Sequence, residues 1–361
     1  MEKVILSIFD CKPGMKIAET IYNNYGAVMI GEDTILDKQA LERIENMGLS
    51  EIRVFSQALE EIQGNHIENV QARYRQNLQE VKDIITKVGG GAPLKMADVR
   101  NVTDNILAGT YSVRDLTGVL ADIGGVEEYE YTHSLNVSLL AVAIGKWMNC
   151  SEKTIRHLAQ AGLLHDIGKS KIPKEILHKP GELTDKEFKT MKQHPVHSYS
   201  LLKSVPTIHE DVLYGILTHH EREDGSGYPS GITSEKISLI AKILAVADIY
   251  DAMTSERIYR KDQSPFEVFE LMQNGSFGQL HPTILNKFIK NMGTYYKGKH
   301  VLLNNGEQGE VIFINASSIA RPIVQVGDRY VDLSHERSLK IESVLKDNMG
   351  MDEIDLNEIG M

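Results

Sequence analysis

The alternation of apolar and polar positions divides the chain into three textures. Up to residue 60 the β-prone runs 4–9, 27–30 and 52–55 are short, punctuated by Pro13-Gly14, Gly26 and Gly31-Glu32-Asp33. One helix interrupts them at 37–47, where Leu41, Ile44 and Met47 share a face and Gly48 supplies the stop. Residues 61–94 read as a polar helical connector that breaks at Gly89-Gly90-Gly91-Ala92-Pro93. Residues 95–293 are helical throughout. From 294 the period falls to two, giving strands at 301–303, 310–314, 323–326 and 330–333, with Gly327-Asp328 as a two-residue turn between the last pair. The fold class is mainly α: a helical bundle core at 95–293, a small β-rich domain at 1–60, a small β appendage at 294–348 and an acidic tail at 349–361.

Within the helical region the pattern predicts five central helices near 130–149, 151–168, 184–204, 207–222 and 235–256. Ser151 caps the one reaching His165, and Thr184 with Glu187 makes a capping box opening the one that carries His194. Ser264-Pro265-Phe266-Glu267 reads as another box with proline in the first turn, and Pro282 and Gly293 bracket the last helix.

These helices share out a set of chemistry-bearing residues: His133, His165-Asp166, His194, His219-His220 and Asp248. Imidazoles and carboxylates without cysteine suit first-row metals such as Fe, Mn, Co, Ni or Zn. A two-metal phosphohydrolase needs a carboxylate that bridges both ions, and Asp166 beside His165 can offer one oxygen to each. His133, His165, Asp166 and Asp248 then hold one ion, and Asp166, His194, His219 and His220 the other. Any one of these histidines alone reads as a core or surface residue; the ordered set does not. His157, His209 and the other six histidines fit no ligand slot and read as structural or solvated. Lys169, one turn after His165, is placed to contact a phosphoryl oxygen, or else to favour a helix C-terminus. The loop Asp224-Gly225-Ser226-Gly227-Tyr228-Pro229 follows the paired histidines and forms a wall of the site, with Gly227 and Tyr228 toward substrate.

His165-Asp166-Ile167-Gly168-Lys169, His219-His220 and the Gly227-Tyr228-Pro229 loop together resemble the HD-GYP family, over about half the chain. The resemblance implies the helical HD phosphohydrolase fold and hydrolysis of cyclic di-GMP to linear pGpG, GMP or both, by a bridging hydroxide at a bimetallic site. It implies iron or manganese as the ions, and basic side chains facing substrate phosphate at Arg257 and Arg260. Some members hold a third ion through a glutamate one turn before the first histidine; Tyr129 stands there, so two are expected. Asp251 reads as structural, bonding near the helix end or behind the ligands. Two rival readings remain: an HD phosphohydrolase acting on another nucleotide or cyclic dinucleotide, and a cyclic dinucleotide receptor with little turnover.

Composition narrows the partners. The net charge of −11 argues against a nucleic-acid polymer, which needs a basic face, so an anionic substrate depends on local cations. Only Cys11 and Cys150 occur, which suits a reducing cytoplasm. The most apolar stretch, 135–148, is interrupted by Asn136, Ser138, Gly145 and Lys146 and is a core helix, not a membrane span. The expected partner is cyclic di-GMP, with a homodimer left open.

Overall fold

The structure is a computed structural model, described here for residues 3–7, 11, 13–22, 27–46, 51–109, 113–122, 129–254, 264–275, 278–315 and 318–345. Met1–Tyr74 and Arg75–Met361 form two compact units. In the first, strand β1 (Lys3–Ser7) pairs antiparallel with β4 (Glu51–Phe55), and β2 (Ile21–Tyr22) pairs with β3 (Val28–Ile30). Asp37 caps helix α1 (Lys38–Asn46) by accepting from the Ala40 amide at 2.7 Å. Met15, Ile17, Leu36, Ile44 and Val54 bury together as its core.

Helix α2 (Ser56–Gly89) covers the predicted connector and ends in the glycine run. The second unit follows with α3 (Met96–Ala108), α4 (Val113–Asp122), α5 (Tyr129–Trp147) and α6 (Glu152–Leu164). Every residue of α5 from Thr132 to Gly145 is buried, so that helix is surrounded by others and shows no apolar stripe. The Ser138 hydroxyl donates to the Ala159 carbonyl at 2.9 Å, fixing how α5 crosses α6. Ser151 accepts from the Thr154 amide and caps α6 as the sequence predicts.

Four sequence expectations change here. Helix α6 does not run to 168: it stops at Leu164, and Ile167–Lys171 forms a 3-10 turn. Residues 184–204 are two helices, α8 (Asp185–Met191) and α9 (His194–Leu202), after a short α7 (Lys174–Leu177) that the pattern did not reveal. The Thr184–Glu187 capping box is present, but it opens α8 and not the helix bearing His194; Pro195 restarts the chain in the first turn of α9. Finally, the buried Ser264 hydroxyl has no hydrogen-bond partner among the described residues, so the second box is not formed.

The remaining helices are α10 (Glu210–Leu217), α11 (Leu239–Thr254), α12 (Pro265–Gly275) and α13 (Pro282–Thr294). Helix α10 is shorter than predicted, and α11 starts at Leu239, later than predicted. Strands β5 (His300–Leu303), β6 (Gln308–Phe313), β7 (Ile323–Val326), β8 (Arg329–Asp332) and β9 (Ile341–Val344) form one antiparallel sheet in the order β8-β7-β6-β5-β9. Gly327-Asp328 is the turn of the β7–β8 hairpin, with Val326 opposite Arg329. Strand β9 was not visible in the pattern. No helix among the described residues is long and apolar enough to cross a membrane. The expected acidic tail lies outside the described residues.

Candidate metal centre

The site forms where α5, the end of α6, the start of α9, the turn after α10 and the second half of α11 converge. His133 comes from α5 and Asp248 from α11, both inside regular helix. The other ligands of the expected set sit where helices end. His165 closes α6, and Asp166 follows with φ −99° and ψ 3°, the bridge conformation that turns the chain out of the helix. A Cβ on Gly168 would lie 2.2 Å from the His194 carbonyl oxygen and 2.3 Å from the Ser198 amide, so only glycine lets the two backbones meet. Ser198 locks this approach: its hydroxyl donates to the His165 carbonyl at 2.7 Å and accepts from the Gly168 amide at 2.8 Å. His219 and His220 lie just past Leu217, the last residue of α10.

All seven expected residues come together. Asp166 Oδ2 lies 3.4 Å from His133 Nε2 and 3.3 Å from His165 Nε2, while Oδ1 faces His194 Nε2 at 3.2 Å. Asp248 Oδ1 is 3.1 Å from His133 Nε2, and Oδ2 is 3.7 Å from His220 Nδ1. His194 Nε2 is 3.4 Å from His219 Nε2 and 3.1 Å from His220 Nε2. Two groups result, one around His133, His165 and Asp166 and one around His194, His219 and His220.

Hydrogen bonding on the far side of the rings decides what these short distances mean. Nδ1 of His165, His194 and His219 faces the carbonyls of Gly162, Met191 and Ile216 at 2.8, 2.9 and 2.6 Å. His133 Nδ1 faces Asp251 Oδ2 at 2.7 Å. A carbonyl or carboxylate only accepts, so each Nδ1 carries the proton, and a ring that is neutral turns its Nε2 lone pair inward. Lone pairs from four rings and two carboxylates then meet with few donors between them. Asp166 Oδ1 is buried and accepts no hydrogen bond among the described residues. The separations match ligand atoms on one ion: bonds of 2.0–2.2 Å place neighbouring donors about 3–3.5 Å apart. The residues fit bound divalent metal.

Electrostatics agree. Burial would raise Asp166, but the neighbouring His165, the Lys169 ammonium and the facing His133 hold it well below the usual carboxylate range. Asp248 is likewise held down, against its burial, by His133 and His220. Burial lowers His194 to about 4, and burial with the neighbouring His165 and His194 lowers His219 to about 3, leaving both as neutral ligands at pH 7. His133 moves the other way: burial would lower it, but Tyr129 and the carboxylates of Asp166, Asp248 and Asp251 raise it well above its ordinary value. The carboxylates thus draw positive charge to the centre of the cluster.

Lys169 does not continue the helix of His165; it lies on the 3-10 turn and donates from Nζ to Asp166 Oδ2 at 2.6 Å. Tyr228 packs its ring against His220 with centroids 4.6 Å apart, and the Lys192 ammonium lies over Tyr228 at 5.7 Å. Gly227 has a packing role, since a Cβ there would fall 2.4 Å from the Arg222 amide nitrogen and Glu221 Cα. Arg257 and Arg260 lie outside the described residues.

Two contributors lacked an assigned role in the sequence. Buried Glu221 accepts from the amides of Ser230 and Ile232 at 2.7 and 3.1 Å and anchors the loop carrying Tyr228. Ser198 is the other. Neither has a pattern of its own. Asp251 was expected to be structural, and its spacing of three from Asp248 is the signal that it backs the ligands.

Residues 120–283 match the family model described as HD domain. A cyclic di-GMP phosphodiesterase of Pseudomonas aeruginosa is 36% identical over 236 residues, covering 65% of this chain and 57% of that protein. A 3'3'-cGAMP-specific phosphodiesterase of Vibrio cholerae is 35% identical over 171 residues, covering 47% of this chain and 39% of the relative. The chain thus spans about half the length of the curated relatives it matches. An HDG"Y"P protein of Bdellovibrio bacteriovorus shares the fold, with TM-score 0.51 and 13% identity over 80% of this chain and 98% of that one. Over residues 120–283 this chain is similar to the HD domain family.

Proposed function

We propose that this chain is a metal-dependent phosphodiesterase that hydrolyses cyclic di-GMP to pGpG, GMP or both. The observation that carries this reading is the inward convergence of Nε2 lone pairs, with tautomers set from behind, on both oxygens of Asp166. His133, His165, Asp166 and Asp248 would hold one ion and Asp166, His194, His219 and His220 a second, with iron or manganese as the ions. Tyr129 stacks on His133 with centroids 5.4 Å apart where a third ion would need a carboxylate, which favours two ions. Such a pair supplies Lewis acidity toward a phosphoryl oxygen and toward water.

The chain's own groups do the rest. Asp166 divides its oxygens between the two halves of the site. Lys169 keeps positive charge beside it, where a phosphoryl group would lie. Tyr228, held by the Glu221-anchored loop, covers the His220 side and limits water. Arg257 and Arg260 remain proposed contacts to the phosphate not being cleaved, through their planar forks.

A second substrate, 3'3'-cGAMP, is favoured by the name of the Vibrio cholerae relative. One experiment tests both: full chain loaded anaerobically with Fe²⁺ or Mn²⁺ is given each dinucleotide, and products are separated by chromatography. Linear product from cyclic di-GMP, absent with Asp166→Ala, supports the proposal. Turnover of 3'3'-cGAMP alone moves the substrate, and tight binding without product makes the chain a receptor.

A further inference from the structure

The two halves of the centre are not equivalent. Around His133 the donors are His133, His165, Asp166 Oδ2 and Asp248 Oδ1. Around His194 they are three imidazoles and the single oxygen Asp166 Oδ1. The first half therefore carries more negative charge. The groups behind the rings widen the difference. Nδ1 of His165, His194 and His219 meets a neutral backbone carbonyl and Nδ1 of His220 stands 3.7 Å from Asp248 Oδ2, beyond hydrogen-bond reach, whereas Nδ1 of His133 meets a carboxylate, Asp251 Oδ2 at 2.7 Å.

Asp251 is built for this contact. It is 1% exposed, and its other oxygen accepts from Asn136 Nδ2 at 2.8 Å. Asn136 lies three residues after His133 on α5, and Asp251 three after Asp248 on α11, so one helical turn links each ligand to its support. A carboxylate behind an imidazole fixes the ring and makes the opposite nitrogen a stronger donor to a cation, an effect on metal affinity of 10- to 100-fold in general.

We propose that the two ion positions fill in order: the position at His133, strengthened by Asp251 as a positioning residue, takes the first ion and holds it more tightly, while the three-histidine position fills second and exchanges. This rests on the two-ion reading of the centre. It also makes Asp251 a determinant of metal retention that touches neither ion nor substrate.

The test is a titration of chelator-stripped full chain with Mn²⁺ alone, with free ion read by electron paramagnetic resonance. The parent is expected to bind in two steps at least about tenfold apart. His133→Ala should remove the tighter step and His219→Ala the weaker one. Asp251→Asn should weaken the tighter step by about 10- to 100-fold and leave the second within about twofold, with circular dichroism matching the parent. Two steps of equal affinity in the parent overturn the ordered filling while leaving the two-ion reading intact. So does equal weakening of both steps in Asp251→Asn, the mark of a merely structural role. A single ion per parent chain overturns the two-ion reading and the proposal together.

Discussion

Among the described residues, two places in the helical unit bring histidines and aspartate within ligand distance, and they differ in burial and in hydrogen bonding. At the centre, His133, His165, His194 and His219 are almost wholly buried, and the Asp166 and Asp248 side chains are 9% and 12% exposed. At the second place, His157 and His209 pack their rings 4.4 Å apart, and Asp211 Oδ2 lies 3.5 and 3.2 Å from their Nδ1 atoms. There, however, the Asp211 and His209 side chains are 59% and 44% exposed, and His209 serves as the cap of α10, beside the Asp211 amide at 3.2 Å. Water can satisfy those groups. At the centre, burial excludes water and the occupied Nδ1 atoms leave only inward lone pairs. Residue type and proximity are thus insufficient; a metal centre also needs its alternatives removed.

The largest expected effect follows from Asp166, the one residue common to both halves. Asp166→Ala should lose both ions, by elemental analysis, and reduce hydrolysis to background while circular dichroism keeps the helical signal. Retention of both ions would erase the distinction between the two places.

Next is the backbone approach that joins the halves. Gly168→Ala puts a Cβ into the His194 carbonyl and should cost ~1–3 kcal/mol in denaturant unfolding, with lower ion occupancy. A parent-like unfolding midpoint would mean that α9 is not held against the turn.

The stripped chain should also show the burial difference in its pH response. His194 and His219 are lowered to about 4 and about 3 in the fold, so the unfolded chain binds protons there first as pH falls. Their contribution to stability is complete above about pH 6.5 and is lost progressively toward pH 4 and below. Thermal midpoints of metal-free protein should therefore fall across that window, and His219→Ala should flatten the slope. An unchanged slope in His219→Ala would mean that this ring is not buried neutral.

The smallest effects belong to the exposed cluster. His157→Ala and His209→Ala should each keep the parent's ion content, with His209→Ala costing at most about 1 kcal/mol through its cap. Loss of an ion from either variant would make the exposed cluster a second centre.

The ligands were legible because each is a chemically distinctive residue in a fixed order along the chain. Their exact seating was not. Helical period carried the sequence reading of α6 through Asp166, yet the chain turns there because Gly168 must pass the backbone of α9, a contact 26 residues distant. The break before His194 had a local signal in Pro195, which suits a first helical turn better than a helix middle. Strand β9, Ile341-Glu342-Ser343-Val344, has little alternation of its own and becomes a strand by pairing with β5. The Ser264-to-Glu267 pattern matched a capping box by spacing alone, and the hydroxyl does not make the bond among the described residues.

Everything at this centre depends on where cations sit. A crystal of the full chain, grown with Mn²⁺ or anaerobic Fe²⁺ and measured at that metal's absorption edge, locates them directly. The expected anomalous map has two peaks about 3.5–4 Å apart, one among His133, His165, Asp166 and Asp248, the other among Asp166, His194, His219 and His220. No peak beside Asp166, or one at His157, His209 and Asp211 instead, would contradict it.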